Sequence, residues 1–278
     1  MPDYTRVFQD FLRERKPLEE SILLELIDDA RNVLRSEGQL LEIDGDDILV
    51  VGDTHGDIDV TASALQSDAE IKLFLGDYVD RGPYQIENIE LLLLAKVSSP
   101  DRVFLLRGNH ESEEMNMEYG FYSRVESTYG RVVYGEFKNL YTFLSLAAVV
   151  NQRIFAVHGG IAKGLYSLSQ VKSIPKGQEF LDDIALQMLW NDPSEDVEEF
   201  APSFRGWGIY LYGWKPVKEF LRINNLEMII RAHEPFPEGF KWFFNGKLLS
   251  IFSCSFYPIE RPFAARIRRE KIEVEPLL

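Results

Sequence analysis

A chain of 278 residues, 45% hydrophobic and 27% charged, has the composition of a folded globular protein and enough length to bury one large core. Its formal net charge of -15 repels nucleic-acid backbones and anionic membranes, which argues against a nucleic-acid or membrane partner. A single cysteine, Cys254, excludes an internal disulfide framework and a multi-cysteine zinc site, and no apolar run approaches the roughly 20 residues of a membrane span.

The first residues, Met-Pro-Asp-Tyr-Thr-Arg, lack the apolar segment of a secretory signal, so a cytoplasmic location is expected. No Gly/Ser/Pro linker or composition break divides the chain, which predicts one domain over residues 1–278 with an N-terminal helical segment to about residue 38. Pro17 fits a first helical position, and Leu23, Ile27, Ala30 and Leu34 recur on one stripe, predicting a packing helix from Lys16 to Ser36 with Gly38 beyond its end. Asp47 to Val51, Ile71 to Leu75 and Arg102 to Leu106 read as buried strands. Helical material from Ile86 to Val97 lies between the last two, suggesting βαβ crossovers, and its aliphatic block Leu91 to Ala95 belongs to the core. A mostly helical stretch around Glu113 to Leu140 precedes a hairpin made of Leu144 to Val150 and Arg153 to Val157, joined by Asn151-Gln152. Later strands are expected over Leu226 to Arg231, Phe240 to Phe244, Lys247 to Ser253 and Phe263 to Arg268, with Asn245-Gly246 as a hairpin turn. The basic run Arg266 to Lys271 reads as a solvated strand face. The order suggests an α/β protein with two sheets face to face and helices outside, but pattern alone does not separate a sandwich from a doubly wound sheet.

Function concentrates where the predicted strands end. Ile71 to Leu75 stops at Gly76, which lets the backbone turn sharply and presents Asp77, Asp80 and Arg81 together on a loop. Three other strands end in the same style, at Gly52-Asp53-Thr54-His55-Gly56, at Arg107-Gly108-Asn109-His110-Glu111 and at His158-Gly159-Gly160. The chain has four histidines, 55, 110, 158 and 233, and each sits at or just beyond a predicted strand end. With Asp53, Asp77 and Asn109 they make an inventory of mixed imidazole and oxygen ligands, which suits Mn, Fe or Zn better than Ca or Mg. The donors outnumber the needs of one ion. Two ions bridged by one carboxylate would use them all.

These residues resemble the phosphoprotein phosphatase family of metal-dependent serine/threonine phosphatases, within the calcineurin-like metallophosphoesterase superfamily. The resemblance runs through Gly52 to Gly56, Gly76 to Gly82, Leu105 to Glu111, Tyr119-Gly120-Phe121-Tyr122, His158-Gly159-Gly160, Trp190-Asn191-Asp192-Pro193, Arg205-Gly206 and Arg231-Ala232-His233, covering nearly everything from Asp47 to Tyr257. It implies a metallophosphoesterase fold, a central β-sandwich of two mixed sheets flanked by helices. It also implies two divalent transition-metal ions, Mn first with Fe or Zn as alternatives. Asp53 and His55 would bind the first, Asn109, His158 and His233 the second, and Asp77 would bridge, with a bridging hydroxide attacking in line. Arg81 and Arg205 would grip the phosphoryl oxygens together with Asn109. His110 would protonate the leaving oxygen, with Asp80 orienting and charge-stabilising it. The implied substrates are phosphoserine and phosphothreonine proteins, and the resemblance identifies no regulatory subunit.

The residue types suit that chemistry. A phosphate monoester is a dianion, so its hydrolysis needs a positive site, and Asn109, His55, His158 and His233 are neutral ligands that leave metal charge uncancelled. Guanidinium is permanently charged and forked, and holds two phosphoryl oxygens in fixed geometry where a lysine could not. Cys254 offers no alternative nucleophile, because a thiol phosphatase needs an Arg six positions later and Glu260 stands there.

Departures from the family bear on specificity. Eukaryotic members carry Ser-Ala-Pro-Asn-Tyr where this chain has Ser253-Cys254-Ser255-Phe256-Tyr257, so Tyr257 is retained as a substrate-site candidate on an altered loop. Pro83 after Asp80-Arg81-Gly82 is more like bacterial members and dinucleoside polyphosphate hydrolases, an activity that stands as the alternative. A non-catalytic metal-binding scaffold is a third reading, but a scaffold has no need of Asp80, Arg81, His110 and Arg205, none of which ligates metal in this scheme. The acidic run Glu195, Asp196, Glu198 and Glu199 reads first as a solvated loop and second as a feature favouring basic peptides.

Overall fold

The computed structural model describes residues 3–278. After α1 (Tyr4–Glu14) and α2 (Glu20–Ser36), the chain forms β1 (Leu40–Ile43), β2 (Asp47–Val51), α3 (Ile58–Gln66), β3 (Ile71–Phe74), α4 (Gln85–Ser98) and β4 (Val103–Leu105). Three helices follow, α5 (Glu113–Tyr119), α6 (Phe121–Tyr129) and α7 (Arg131–Tyr141), and then β5 (Ala147–Val150) and β6 (Ile154–Val157). The rest comprises α8 (Leu168–Ser173), α9 (Asp183–Trp190), β7 (Asp192–Pro193), β8 (Phe200–Pro202), β9 (Tyr210–Tyr212), α10 (Trp214–Asn224), β10 (Met228–Arg231), β11 (Phe240–Phe243), β12 (Leu248–Ile251), β13 (Phe263–Arg268) and β14 (Lys271–Pro276).

Six strands form one mixed sheet in the order β1-β5-β6-β10-β12-β11, and five form a second in the order β14-β13-β2-β3-β4. Period-two alternation sends Ile48 and Val50 of β2 to one side and Leu49 and Val51 to the other. The first pair packs with Leu73, Ala156, Ile230 and Leu249 in a core between the sheets. The second packs outward with Phe74 and Leu105 against α2 and α4. On the opposite outer face Val157 and Ile229 meet Met188 of α9 and Phe220 of α10. The molecule is therefore a sandwich with helices on both outer faces, and the continuous apolar strand runs follow from burial on both sides. Leu91 to Ala95 lie in the helical core, as expected.

Strands β2, β3 and β4 run parallel, as the expected crossovers require. The hairpins β5–β6 and β11–β12 are antiparallel, and Asn151 and Gln152 turn the first with φ of 50° and 56°. Two expectations are corrected. The helix read from Lys16 begins at Glu20, because Arg15 ends α1 at φ 51° and the Leu18 amide is drawn to the Glu90 carboxylate instead of into a helical turn. The basic run is solvated from Arg268 to Lys271 but not at its start: Arg266 is fully buried and paired with Asp47, Asp68 and Glu275, and residues 269–270 form a turn into β14. A small third sheet, β7-β9-β8, has no counterpart among the strands expected from sequence. Among the described residues no helix is long and apolar enough to cross a membrane.

Candidate active site

Strands β2, β3 and β4 in one sheet and β6, β10 and β12 in the other are parallel within their sheets. Their carboxyl ends place Asp53, Asp77, Asn109, His158, His233 and the 253–257 loop around one edge of the sandwich, where ligands of open α/β sheets bind. A cavity of 250 Å³ there is lined by Asp53, His55, Asp77, Arg81, Asn109, His110, Arg205, His233 and Tyr257, among others. Among the expected site residues, all but His158 face that space directly or, like Asp80, through a partner. His158 lies just behind it, its Nε2 3.0 Å from Asn109 Oδ1.

The loops are held in uncommon backbone conformations. His55, Asp77, Asp80, Arg81 and His233 have φ between 42° and 72°, a left-handed region that side chains other than glycine seldom adopt and that clusters at functional sites. Gly76 and Gly108 let the two loops approach closely: a Cβ on either would collide with the backbone of the facing loop. Glu111 braces them, its buried carboxylate accepting hydrogen bonds from the amides of Asp77 (2.8 Å), Tyr78 (2.9 Å) and Gly108 (2.8 Å). Burial and the neighbouring Asp77 push the Glu111 carboxyl up to about 7, while those amides pull the other way.

Two groups of donors meet at Asp77. His55, Asp77 and His110 form one and Asp77, His158 and His233 the other, with ligand atoms in each within 4.8 Å of one another. Asp53 lies beside the first, its Oδ2 3.8 Å from His55 Nε2, while its Oδ1 accepts from the His233 amide. His55 Nδ1 donates to the Val79 carbonyl (2.9 Å) and His158 Nδ1 to the Leu75 carbonyl (3.0 Å), so both Nε2 atoms present lone pairs to the cavity. His158 Nε2 then faces Asn109 Oδ1 at 3.0 Å, His233 Nδ1 at 3.1 Å and Asp77 Oδ2 at 3.4 Å. The oxygens of Asn109 and Asp77 are acceptors that face the unprotonated Nε2 of a neutral His158, an arrangement that repels unless a cation lies between them, and this donor set therefore fits a metal ion.

The electrostatics agree. Burial, helped by the charge of His110, pushes His55 down to about 3, and burial with Arg205 holds His233 well below the usual imidazole range. Both are neutral, the state a metal requires. Burial would lower His158, but Asp77 and Asp53 raise it, marking its Nε2 as a point where positive charge is favoured. Burial and the charge of Asp77 push Asp53 up to about 6.

His110 differs from the other three. Its Nδ1 donates to Asp80 Oδ2 at 2.7 Å and its backbone amide to Asp77 Oδ1 at 2.9 Å. Burial alone would lower its pKa; Asp77 and the Asp80 hydrogen bond outweigh burial and raise it. Asp80 is fixed in turn by the Phe121 amide (2.9 Å) and Asn116 Nδ2 (3.0 Å). Arg81 is exposed at the mouth with its guanidinium over the Tyr119 ring, 4.0 Å from the centroid, and pairs with no carboxylate among the described residues. Arg205 reaches the cavity from the loop between β8 and β9 and is anchored through Nε to Asp192, which also pairs with buried Arg231 at 2.8 Å. Tyr257 stacks on His55 with ring centroids 5.6 Å apart.

Sequence reading assigned no role to Glu111, Asn116, Asp192 or Trp190, whose ring lies edge-on to His233 at 5.7 Å. Glu111, Asp192 and Trp190 fall inside the motifs quoted above; Asn116 on α5 carries no local signal. The acidic run is partly structural: Glu195 accepts from the Phe244 amide and Glu199 pairs with Lys215.

Comparison with known proteins returns a family model described as calcineurin-like phosphoesterase, matching residues 47–237. Serine/threonine-protein phosphatase 4 catalytic subunit of Saccharomyces cerevisiae is 36% identical over 252 residues, covering 88% of this chain and 81% of that protein. A protein phosphatase 2A catalytic subunit of Dictyostelium discoideum is 38% identical over 252 residues, covering 88% of this chain and 80% of that protein. Among solved structures, a protein serine/threonine phosphatase from Saccharomyces cerevisiae, with similarity to human phosphatase PP5, superposes with a TM-score of 0.86 at 28% identity, covering 93% of this chain and 89% of that one. A cold-active protein-tyrosine phosphatase of a Shewanella species shares the fold, with a TM-score of 0.61 at 16% identity over 89% of this chain and 84% of its own.

Proposed function

The chain belongs to the calcineurin-like phosphoesterase family, and from that membership we propose that it is a metal-dependent serine/threonine protein phosphatase acting on phosphoserine and phosphothreonine proteins. The observation that carries the reading is Asp77, shared by two donor groups in a cavity that also presents His110 and Arg81. Asp53, His55 and Asp77 would hold one divalent ion, and Asp77, Asn109, His158 and His233 would hold the other. Manganese is the proposed metal, since imidazole donors disfavour magnesium. When bound, such a pair acidifies a water molecule and neutralises phosphoryl oxygens.

The protein's own groups divide the remaining work. Arg81, without a carboxylate partner among the described residues, and Arg205, steadied by Asp192, bind the phosphoryl oxygens in forked geometry. His110 Nδ1 keeps its proton and donates it in a hydrogen bond to Asp80, and the raised pKa of the imidazole favours a further proton on Nε2, which faces the cavity. That proton goes to the departing serine or threonine oxygen, which would otherwise leave as a strongly basic alkoxide. Tyr257, packed on His55, borders the bound phosphate.

The test is one set of assays with manganese-supplemented protein on a phosphoserine peptide, a diadenosine polyphosphate and a phosphate bis-ester. The peptide is expected to give the highest kcat/KM, and exhaustive chelation is expected to abolish its hydrolysis. Faster turnover of the diadenosine polyphosphate would replace the reading with a dinucleoside polyphosphate hydrolase, and full activity without metal would refute the metal scheme.

A further inference from the structure

Most aromatic side chains of this protein are buried or half-buried, and the two most exposed large apolar side chains among the described residues are Trp207, at 100%, and Phe204, at 91%. They bracket Arg205, whose side chain forms part of the catalytic cavity wall. Exposing both is a cost the loop is built to bear. Strands β8 and β9 pair in antiparallel register, and the tip between them is closed by the Ser203 amide donating to the Ile209 carbonyl (3.0 Å) and the Arg205 amide donating to Ser203 Oγ (3.2 Å). Gly206 and Gly208 have φ of 155° and 82° with almost nothing near their missing Cβ atoms, so they serve the turn and not close packing. Arg205 is drawn inward to Asp192, leaving its two neighbours outside.

We propose that Phe204 and Trp207 form a peptide-reading lip of the active site, which takes a large apolar side chain close to the phosphorylated residue of the substrate. The proposal rests on the protein phosphatase reading and adds the flanking chemistry. The occupant follows from continuity with the cavity: the Phe204 ring centroid lies 5.8 Å from the Arg205 guanidinium carbon. An extended peptide advances roughly 3.3 to 3.6 Å per residue, so a phosphate held by Arg205 brings a side chain one or two residues away over that ring. A flat aromatic lip gains most from an apolar or aromatic partner and gives nothing to a short polar one.

The experiment compares paired phosphoserine peptides that carry Phe or Leu, or else Ser, at the two positions on each side of the phosphoserine. It uses wild-type protein and the double variant F204A/W207A, both loaded with manganese. The readout is the ratio of kcat/KM for apolar over polar peptides, which is insensitive to changes common to both. Affinity for the same peptides carrying a hydrolysis-resistant phosphonate is measured in parallel, so that the result does not depend on turnover. In the wild type the ratio is expected to be about 10, the worth of one good aromatic contact, and in the double variant to fall towards 1. A wild-type ratio near 1 in both measurements, or an unchanged ratio in the double variant, overturns the proposal while leaving the phosphatase reading intact. Failure to hydrolyse any phosphopeptide, with the affinity ratio retained, sinks the phosphatase reading and keeps the lip. A concentration-dependent dimer that F204A/W207A dissolves, with no peptide preference, assigns the surface to a second copy of the chain and also overturns it.

Discussion

Replacing Asp80 by Asn isolates the proton-delivery step from metal binding. Asp80 makes three contacts: its Oδ2 accepts from His110 Nδ1 at 2.7 Å and Asn116 Nδ2 at 3.0 Å, and its Oδ1 accepts from the Phe121 amide at 2.9 Å. An asparagine keeps one carboxamide oxygen for the Phe121 amide but turns an NH2 group towards two donors. The charge-assisted bond to His110 is lost, worth about 1.5 to 3 kcal/mol, and the imidazole loses the anion that holds its proton. In the transition state for a basic leaving group this corresponds to roughly 10- to 100-fold in kcat/KM. The p-nitrophenolate group departs without a proton, so Asp80→Asn is expected to cost much less on p-nitrophenyl phosphate. His110→Asn should show the same pattern more strongly, about 10² to 10⁴-fold on a phosphoserine peptide. His158→Asn, removing a proposed metal donor, should damage both substrates alike. The assay is kcat/KM for each variant on both substrates, with bound metal quantified for each preparation. An equal loss on the two substrates for His110→Asn, with reduced metal content, would refute the acid assignment and leave His110 as a brace for the Asn109 loop.

Two further outcomes test other parts of the structure. Asp77→Asn should lower metal occupancy at both positions, because one carboxylate belongs to both donor groups; elemental analysis finding one ion fully retained would show that it is no bridge. Burial pushes the Glu90 carboxyl from 4.5 up to about 8, so the folded protein keeps a proton that the unfolded chain releases, and stability contributed here falls as pH rises between those values. The shift sets an upper limit of roughly 5 kcal/mol on that loss. The Tyr129 hydroxyl reaches both Glu90 Oε1 and the Leu18 carbonyl, so in Glu90→Gln the amide oxygen can still accept from the Leu18 amide while the NH2 group donates to Tyr129 and Tyr129 donates to the Leu18 carbonyl; the variant should lose less melting temperature than wild type between pH 5 and pH 8, and parallel pH profiles would discount Glu90 as the source.

What could be read along the chain was what depends on neighbours in the chain. The strands at Asp47–Val51 and Ile71–Phe74 announce themselves because burial on both faces demands unbroken apolar runs, and Asn151-Gln152 and Asn245 announce turns because few residues tolerate positive φ. The candidate metal donors were legible for a related reason: a histidine or aspartate immediately after a buried strand, beside glycine, has no packing explanation. Short strands such as Asp192–Pro193 and Phe200–Pro202 gave no such signal, since two or three residues cannot express a period. Arg266 misled for want of its partners, because Asp47 and Asp68, which neutralise it, are far away in the chain. The tertiary structure alone decided that two sets of strand ends share one edge and that Asn116 and the Phe121 amide steady Asp80. It also brought Arg205 to the cavity from a separate small sheet. Those relations are long-range by nature: each joins groups that only chain folding makes neighbours, and no local pattern of residues encodes the distance between them.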